Sequence, residues 1–226
     1  SPARPFRTLE RVMRSVKAGD TIWVDAGFYI DADTITAGVE TAVINMDTDN
    51  LTLIGVDSNV TIFDPPGPTF VSAYGVYADT QTGLVVRNIG VKNAGIGYLF
   101  RNVDRSRIAS DSVAGASGEG FNVTDGSDTN ALEQLSSVSN NGVGISINLS
   151  SFNVVRYSRS LQNTNSAGLA IGTGASNQII GNDVSGNQAQ GVSISFGGNG
   201  NLVHGNYISG NTQAGIRINN NDAAVV

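Results

Sequence analysis

Four charged residues in the middle of the chain stand where they could do chemistry together: Asp79, Arg101, Arg105 and Asp125. Asp79 and Arg101 each lie four residues beyond a glycine, Gly75 and Gly97, and the next such glycine, Gly120, is followed at the same offset by Thr124 and then Asp125. If those glycines stack, the side chains fall on adjacent rungs about 5 Å apart. Arg87, Lys92, Asp104 and Arg107 add charge to the same region. Taking a proton from the carbon beside a carboxylate, as on a uronic acid, needs a basic residue to accept it and cations to hold the developing enolate. Arginines flanked by aspartates supply those parts. The plainer reading, which is preferred, is a ladder of surface ion pairs between rungs, worth little energetically. A second acidic pair, Asp47 and Asp49, offers oxygen ligands of the kind calcium takes. The glycine and distal glutamate of an EF-hand loop are missing there, and aspartate is ordinary in turns. Calcium at this pair is the one cofactor to be tested.

What must position these residues is a repeat. Gly144-Ile-Ser-Ile147, Gly168-Leu-Ala-Ile171, Gly191-Val-Ser-Ile194 and Gly215-Ile-Arg-Ile218 say nearly the same thing, and looser copies start at Gly75, Gly97 and Gly120. Successive glycines are 22, 23, 24, 24, 23 and 24 residues apart. Each phrase is followed by a second apolar pulse, as in Asn177-Gln-Ile-Ile-Gly-Asn-Asp-Val184. Runs this short, with period-2 alternation and Gly/Asn punctuation, read as strands. A unit of that size cannot bury its own apolar side, so it must stack on the next copy. Stacking gives inward columns from Val76 through Tyr98 and Phe121 to Ile216, and from Ala78 through Phe100 and Val123 to Ile218. The third residue of each phrase should face outward: Tyr77, Leu99, Asn122, Ser146, Ala170, Ser193 and Arg217. Asn140, Asn163, Asn187 and Asn211 form a turn column, where asparagine tolerates left-handed backbone and its amide can bond to the copies on either side.

The hexapeptides Asn182-Asp-Val-Ser-Gly-Asn187 and Asn206-Tyr-Ile-Ser-Gly-Asn211, with the Gly-Ile-Arg-Ile phrases, resemble the right-handed parallel β-helix superfamily. The likeness is to pectate-lyase-like proteins and to repeat modules similar to those of periplasmic copper-handling and polyuronate-epimerase proteins. It covers most of the chain and implies an all-β, right-handed parallel β-helix of about nine coils of ~23 residues. Residues 1–20 are then an N-terminal capping helix and 21–226 the single solenoid domain. Enzyme signatures of the superfamily are missing. Only Val203-His204-Gly205 and Arg217-Ile218-Asn219 echo the polygalacturonase set, with the spacing wrong, and the Asp-Pro-His-Glu run of mannuronan epimerases is absent.

Composition agrees with a turn-dense β protein: 28 glycines in 226 residues and 14% charged. A formal net charge of −6 argues against nucleic acid as the main partner. There is no cysteine, hence no disulfide or thiolate site, and no apolar run approaches a membrane span. Residues 6–17 are the helical candidate, with Phe6, Leu9, Val12, Met13 and Val16 on one face, and its expected role is to cover the first open coil. The Ser-Pro-Ala-Arg-Pro opening and the Ala-Ala-Val-Val226 finish read as a trimmed piece of a longer parent, with more parent chain or another subunit at the C-terminal end. His204, the single histidine, reads as a surface residue.

The first functional expectation is a secreted or surface-displayed module that serves as a scaffold or contacts carbohydrate. The second is a polysaccharide lyase, hydrolase or epimerase with its site around Arg101. The third is an adhesin or phage-type fibre segment, whose trimerisation would cover apolar residues such as Leu99 and Phe196.

Overall fold

The computed structural model describes residues 8–36, 40–65, 73–196, 199–219 and 224–225. Three-residue strands alternate one buried side chain with two outward ones, as in Val154–Arg156 and Asp183–Ser185. No such strand is stable alone; each is held by its copies before and behind. Among the described residues the strands build three sheets of nine, eight and nine members. Sheet A starts at Thr21–Val24, sheet B at Gly27–Tyr29, and sheet C at Glu40–Asn45, with Asp33–Thr36 folded back antiparallel on its edge. All other pairings are parallel, and the chain visits A, B and C in turn. This is a β-helix with three sheets per coil.

Register follows the repeat. Val76, Tyr98, Phe121 and Ile145 are successive partners in sheet C, and with the next column they fill an interior that is essentially fully buried. The irregular early coils contribute the strands Glu40–Asn45, Thr52–Gly55 and Thr61–Phe63. Coil length departs from the expectation. Thr21 pairs with Thr52 and Thr52 with Val85, giving coils of 31 and 33 residues, whereas later sheet A partners are 22 to 24 apart. The regular part is the six repeats from Gly75 to Gly215, because the early coils carry long connections between sheets B and C.

Asparagine ladders occupy the corners. The Asn140, Asn163 and Asn187 backbone N–H groups donate to Oδ1 of Asn163, Asn187 and Asn211 at 3.1, 3.0 and 2.9 Å. A second ladder before sheet A runs Asn130, Asn153, Asn177, Asn201, and a third between sheets A and B runs Ser158, Asn182, Asn206. Neighbouring corner residues adopt positive φ even where they are bulky, as at Gln134 and Tyr157. The ladder bonds support that left-handed backbone.

The repeat glycine answers to space. A Cβ on Gly144 would meet Ser160 Oγ at 2.1 Å, Asn163 Nδ2 at 2.5 Å and the Gly168 carbonyl at 2.6 Å. Ladder, inner column and next coil all press on that point.

The helix is shorter than its amphipathic pattern implies. It covers Leu9–Met13, with the Thr8 side chain accepting from the Arg11 N–H; Phe6 and Arg7 lie outside the described residues, as do residues 66–68 of the proline-rich segment. Leu9 is buried in the main core, and Val12, Met13 and Val16 pack against it. The helix is capped at Arg14, whose backbone N–H donates to the Glu10 carbonyl, and Val16 beyond it still packs on the core.

Candidate functional site on the outer face of sheet C

The outer face of sheet C gathers Tyr74, Tyr77, Asp79, Leu99 and Arg101 from two adjacent coils, with Glu40 and Ala42 from the coil before. In-register pairing places Tyr77 beside Leu99 and Asp79 beside Arg101. Arg101 donates from Nε and Nη2 to Asp79 Oδ2 at 3.1 and 2.7 Å, and Nη2 also donates to the Tyr77 hydroxyl. Its guanidinium carbon sits 5.7 Å from the Tyr77 ring centroid, a cation–π distance. Tyr77 stacks on Tyr74 at 5.3 Å between centroids, and the Tyr74 hydroxyl donates to Glu40 at 3.0 Å. One step along the outward column, Asn122 has a buried Oδ1 without a partner.

Tyr77 and Leu99 are not exposed as the alternation implies. They are 2% and 7% exposed and form, with Ala42 and Tyr74, a small apolar cluster outside the solenoid, against which Ile35 and Ile96 pack. Leu99 is thereby removed from the apolar surface expected to drive trimerisation, while Phe196 remains exposed at 67%. The repeat glycine breaks strict alternation: Tyr74 and Tyr77 both face out while Val76 faces in. Parity counted through Gly75 therefore misplaces Tyr74, and the aromatic stack goes unseen in the sequence.

The charges of this cluster are settled. Burial alone would raise the Asp79 carboxyl, but hydrogen bonds from Arg101 and Thr80 outweigh it and hold it below the usual aspartate value. Burial first, then the Asp79 charge, pushes the Tyr77 phenol up to about 12 despite Arg101. Burial, then the bond to Glu40, raises Tyr74 as well. The bond to Asp79 raises Arg101 further above its ordinary range. At neutral pH the pair is ionised and both phenols keep their protons. Such a cluster is suited to holding a ligand's charge rather than to exchanging a proton.

The other two members of the sequence-derived group do not join. Arg105 turns to the Thr82 hydroxyl, with Nη2 at 3.1 Å, and Asp125 sits exposed at a left-handed corner, where it accepts from Thr124 at 3.3 Å. Each follows a corner rather than a strand, so the offset from the glycine no longer fixes direction. The surface ion-pair ladder lies on sheet A instead, where Glu133 bridges Arg107 and Arg156. Asp47 and Asp49 are also divided: Asp47 accepts from the Thr48 hydroxyl at 3.3 Å and Asp49 from the Thr82 N–H at 2.9 Å. Among the described residues no group of three or more His, Cys, Asp or Glu is placed to hold a metal. His204 is exposed at the end of its strand. A cavity of about 380 Å³ between the helix and the first coil, lined by Leu9, Val12, Trp23 and Tyr29, contains none of the sheet C residues.

This architecture defines a right-handed β-helix protein. Residues 74–226 match the family model described as the right handed beta helix region, and the chain belongs to that family. No curated protein matches it. Solved structures with the same fold include the catalytic domain of a GH87 α-1,3-glucanase in complex with nigerose, at TM-score 0.62 and 12% identity over 91% of this chain and 44% of that one. An alginate lyase from Paenibacillus sp. str. FPU-7 matches at 0.59 and 11% identity over 95% and 96%. Pectate lyase Pel9A matches at 0.60 and 14% identity over 96% and 71%. The chain thus spans under half of the glucanase domain. At these identities the likeness is one of fold, of the pectate-lyase-like kind.

Proposed function

We propose that this chain is a carbohydrate-contacting β-helix module that works in the secreted state or at a cell surface and binds an anionic glycan along the outer face of sheet C. The observation that carries the reading is Arg101, fixed by Asp79 over the Tyr77 ring. A guanidinium already oriented by a carboxylate meets a ligand acid group with little further loss of freedom. Tyr77 and Leu99 pack with Tyr74 and Ala42 as a buried support beneath the guanidinium, and the Arg101 side chain, 36% exposed, is the part that meets the ligand. The names of the alginate and pectate lyases support acidic sugars; the glucanase keeps neutral glucans as a comparison to be tested.

Binding is favoured over turnover because the groups around Arg101 are fixed in their charge states. One observation favours a second reading, elimination at a uronate: the Tyr77 hydroxyl, an acid, lies against a cation. Proton NMR of polygalacturonate, alginate and neutral glucans incubated with the protein, with and without calcium, separates the two. Broadened ligand lines without new signals, lost on Arg101→Ala, are the expected result. New olefinic resonances would replace binding by elimination.

A further inference from the structure

Sheet A carries a charged face that the reading above leaves unused. Among its described strand residues the ionised outward groups are Arg87, Arg107 and Arg156 against the single carboxylate of Glu133, three positive charges minus one negative, on a chain with a net charge of −6. The basic groups are therefore concentrated where the molecule's overall charge would not place them.

The arrangement is built rather than scattered. The Glu133 side chain is only 9% exposed, and its two oxygens are divided between arginines from the coils on either side. Oε2 accepts from Arg107 Nε and Nη2 at 2.9 and 2.7 Å, and Oε1 accepts from Arg156 Nε, at 2.9 Å, and from its Nη2. Burial works against the Glu133 charge, but the two arginine bonds outweigh it and hold the carboxyl below its ordinary value. Both arginine side chains remain nearly half exposed, at 48% and 47%. Their Nη1 groups make no hydrogen bond among the described residues. Arg87 lies in the same outward column as Glu133, one coil beyond Ala109.

We infer that the Arg107–Glu133–Arg156 cluster, with Arg87 beside it, is a second binding site for a linear anionic polysaccharide. Glu133 fixes both guanidiniums while cancelling only one of their charges, so the free Nη1 edges face solvent as an oriented pair. A polyuronate carries one carboxylate per sugar, a repeat of the same order as the ~4.8 Å rung spacing, so its acid groups can address successive coils. Tyr157, next to Arg156 and 63% exposed, holds its ring against Gly181, where an added Cβ would lie 3.1 Å from it. That ring supplies an apolar face of the kind sugars stack on. Nucleic acid needs an extended basic surface, and three arginines with one carboxylate among them do not make one. The site lies on a different sheet from Arg101, so the two readings stand or fall separately.

The test is calorimetric titration with size-defined oligogalacturonate at low and moderate salt, in an Arg101→Ala background that silences sheet C. Affinity is expected to persist in that background, to weaken with salt, and to fall about tenfold or more when Arg107→Gln and Arg156→Gln are added. Glu133→Gln, close to isosteric, leaves one acceptor oxygen where two held the guanidiniums, so affinity should fall severalfold, whatever it does to the melting temperature. A purely structural ladder would show the reverse: a lower melting temperature with unchanged affinity in Glu133→Gln and in each single arginine variant. Either that result, or equally tight binding of single-stranded DNA of matched charge, overturns the inference. Loss of all binding with Arg101→Ala alone does so as well, while leaving the sheet C proposal intact.

Discussion

Arg101 reaches back 22 residues to set two of its donors on one oxygen of Asp79, at 3.1 and 2.7 Å. Adjacent coils thus share a charge pair whose orientation is decided by strand register, and that pair aims the only arginine on the sheet C strands between Gly75 and Gly191.

Asp79→Asn should leave the fold intact, costing under about 1 kcal/mol because both partners are roughly a third exposed, while lowering glycan affinity with Arg101 no longer anchored. The folded carboxyl is held below its ordinary value, so its small contribution is present above about pH 4 and fades as pH falls through the depressed folded value. Melting curves of wild type and Asp79→Asn should converge in acid. Equal acid sensitivity of the two proteins would show that the pair contributes nothing.

Asp111 has the opposite sign. It stands in the corner position that Ser158, Asn182 and Asn206 take in later coils, 1% exposed, with Oδ1 accepting from the Ile89 N–H at 2.7 Å and Oδ2 unpartnered. Burial drives its carboxyl well above the aspartate range, and the Ile89 bond offsets this only in part. Its stability contribution is fully present below about pH 4 and is lost as pH rises toward the raised folded value. Asp111→Asn supplies the amide the ladder uses elsewhere. It should stabilise the protein by about 1–2 kcal/mol at neutral pH and by little near pH 4, as read from urea midpoints.

Asn163→Ala should cost about 3 kcal/mol or more. It strips the acceptor from the Asn140 N–H and side-chain amide and one of the two donors from Asn187 Oδ1, all deep in the corner. Asn211→Ala, at the more open end of the same ladder, should cost distinctly less. Equal losses at the two sites, measured by chemical unfolding, would show that the ladder is not the source of the effect.

Gly144→Ala should be worse than any surface change although it adds one methyl group. The close contacts at its Cβ are with a ladder amide, a buried hydroxyl and a carbonyl, none of which is a free end that can swing aside. A loss of about 3 kcal/mol or failure to fold is expected, against a smaller loss of about 1–2 kcal/mol for Gly126→Ala, whose nearest neighbour lies at 3.6 Å and where only the positive φ opposes the change. Parallel thermal melts decide between them.

Much of the fold was legible because one-dimensional stacking writes the same constraint at every coil. The glycine spacing, both inner columns and the Asn140–Asn211 ladder recur almost unchanged. The ladders through Asn153 and Asn182 were not read, because their early members are Ser106, Ser158 and the aspartate at 111, and asparagine in a turn has too many other uses. The candidate site was half legible. Asp79 and Arg101 share a strand register and so were paired correctly, whereas Arg105 and Asp125 follow corners where register no longer sets direction. Tyr74 and Glu40 were missed because the glycine kink changes which side chains face out, and because the coil before Gly75 has no regular repeat to count from.

From Tyr29 to its sheet C neighbour Ala42 the chain takes 13 steps, from Phe63 to Tyr74 it takes 11, and from Val91 to Ile96 only 5, although the strands at both ends stay in register. Contour length between sheets B and C is therefore decoupled from the position of the next rung. Insertions at that corner can be lengthened or exchanged as cassettes, and the strand Asp33–Thr36 in the first of them already lies on the edge of sheet C. A lineage built on this scaffold can alter what borders that sheet by editing one seam, leaving the ladders and columns untouched.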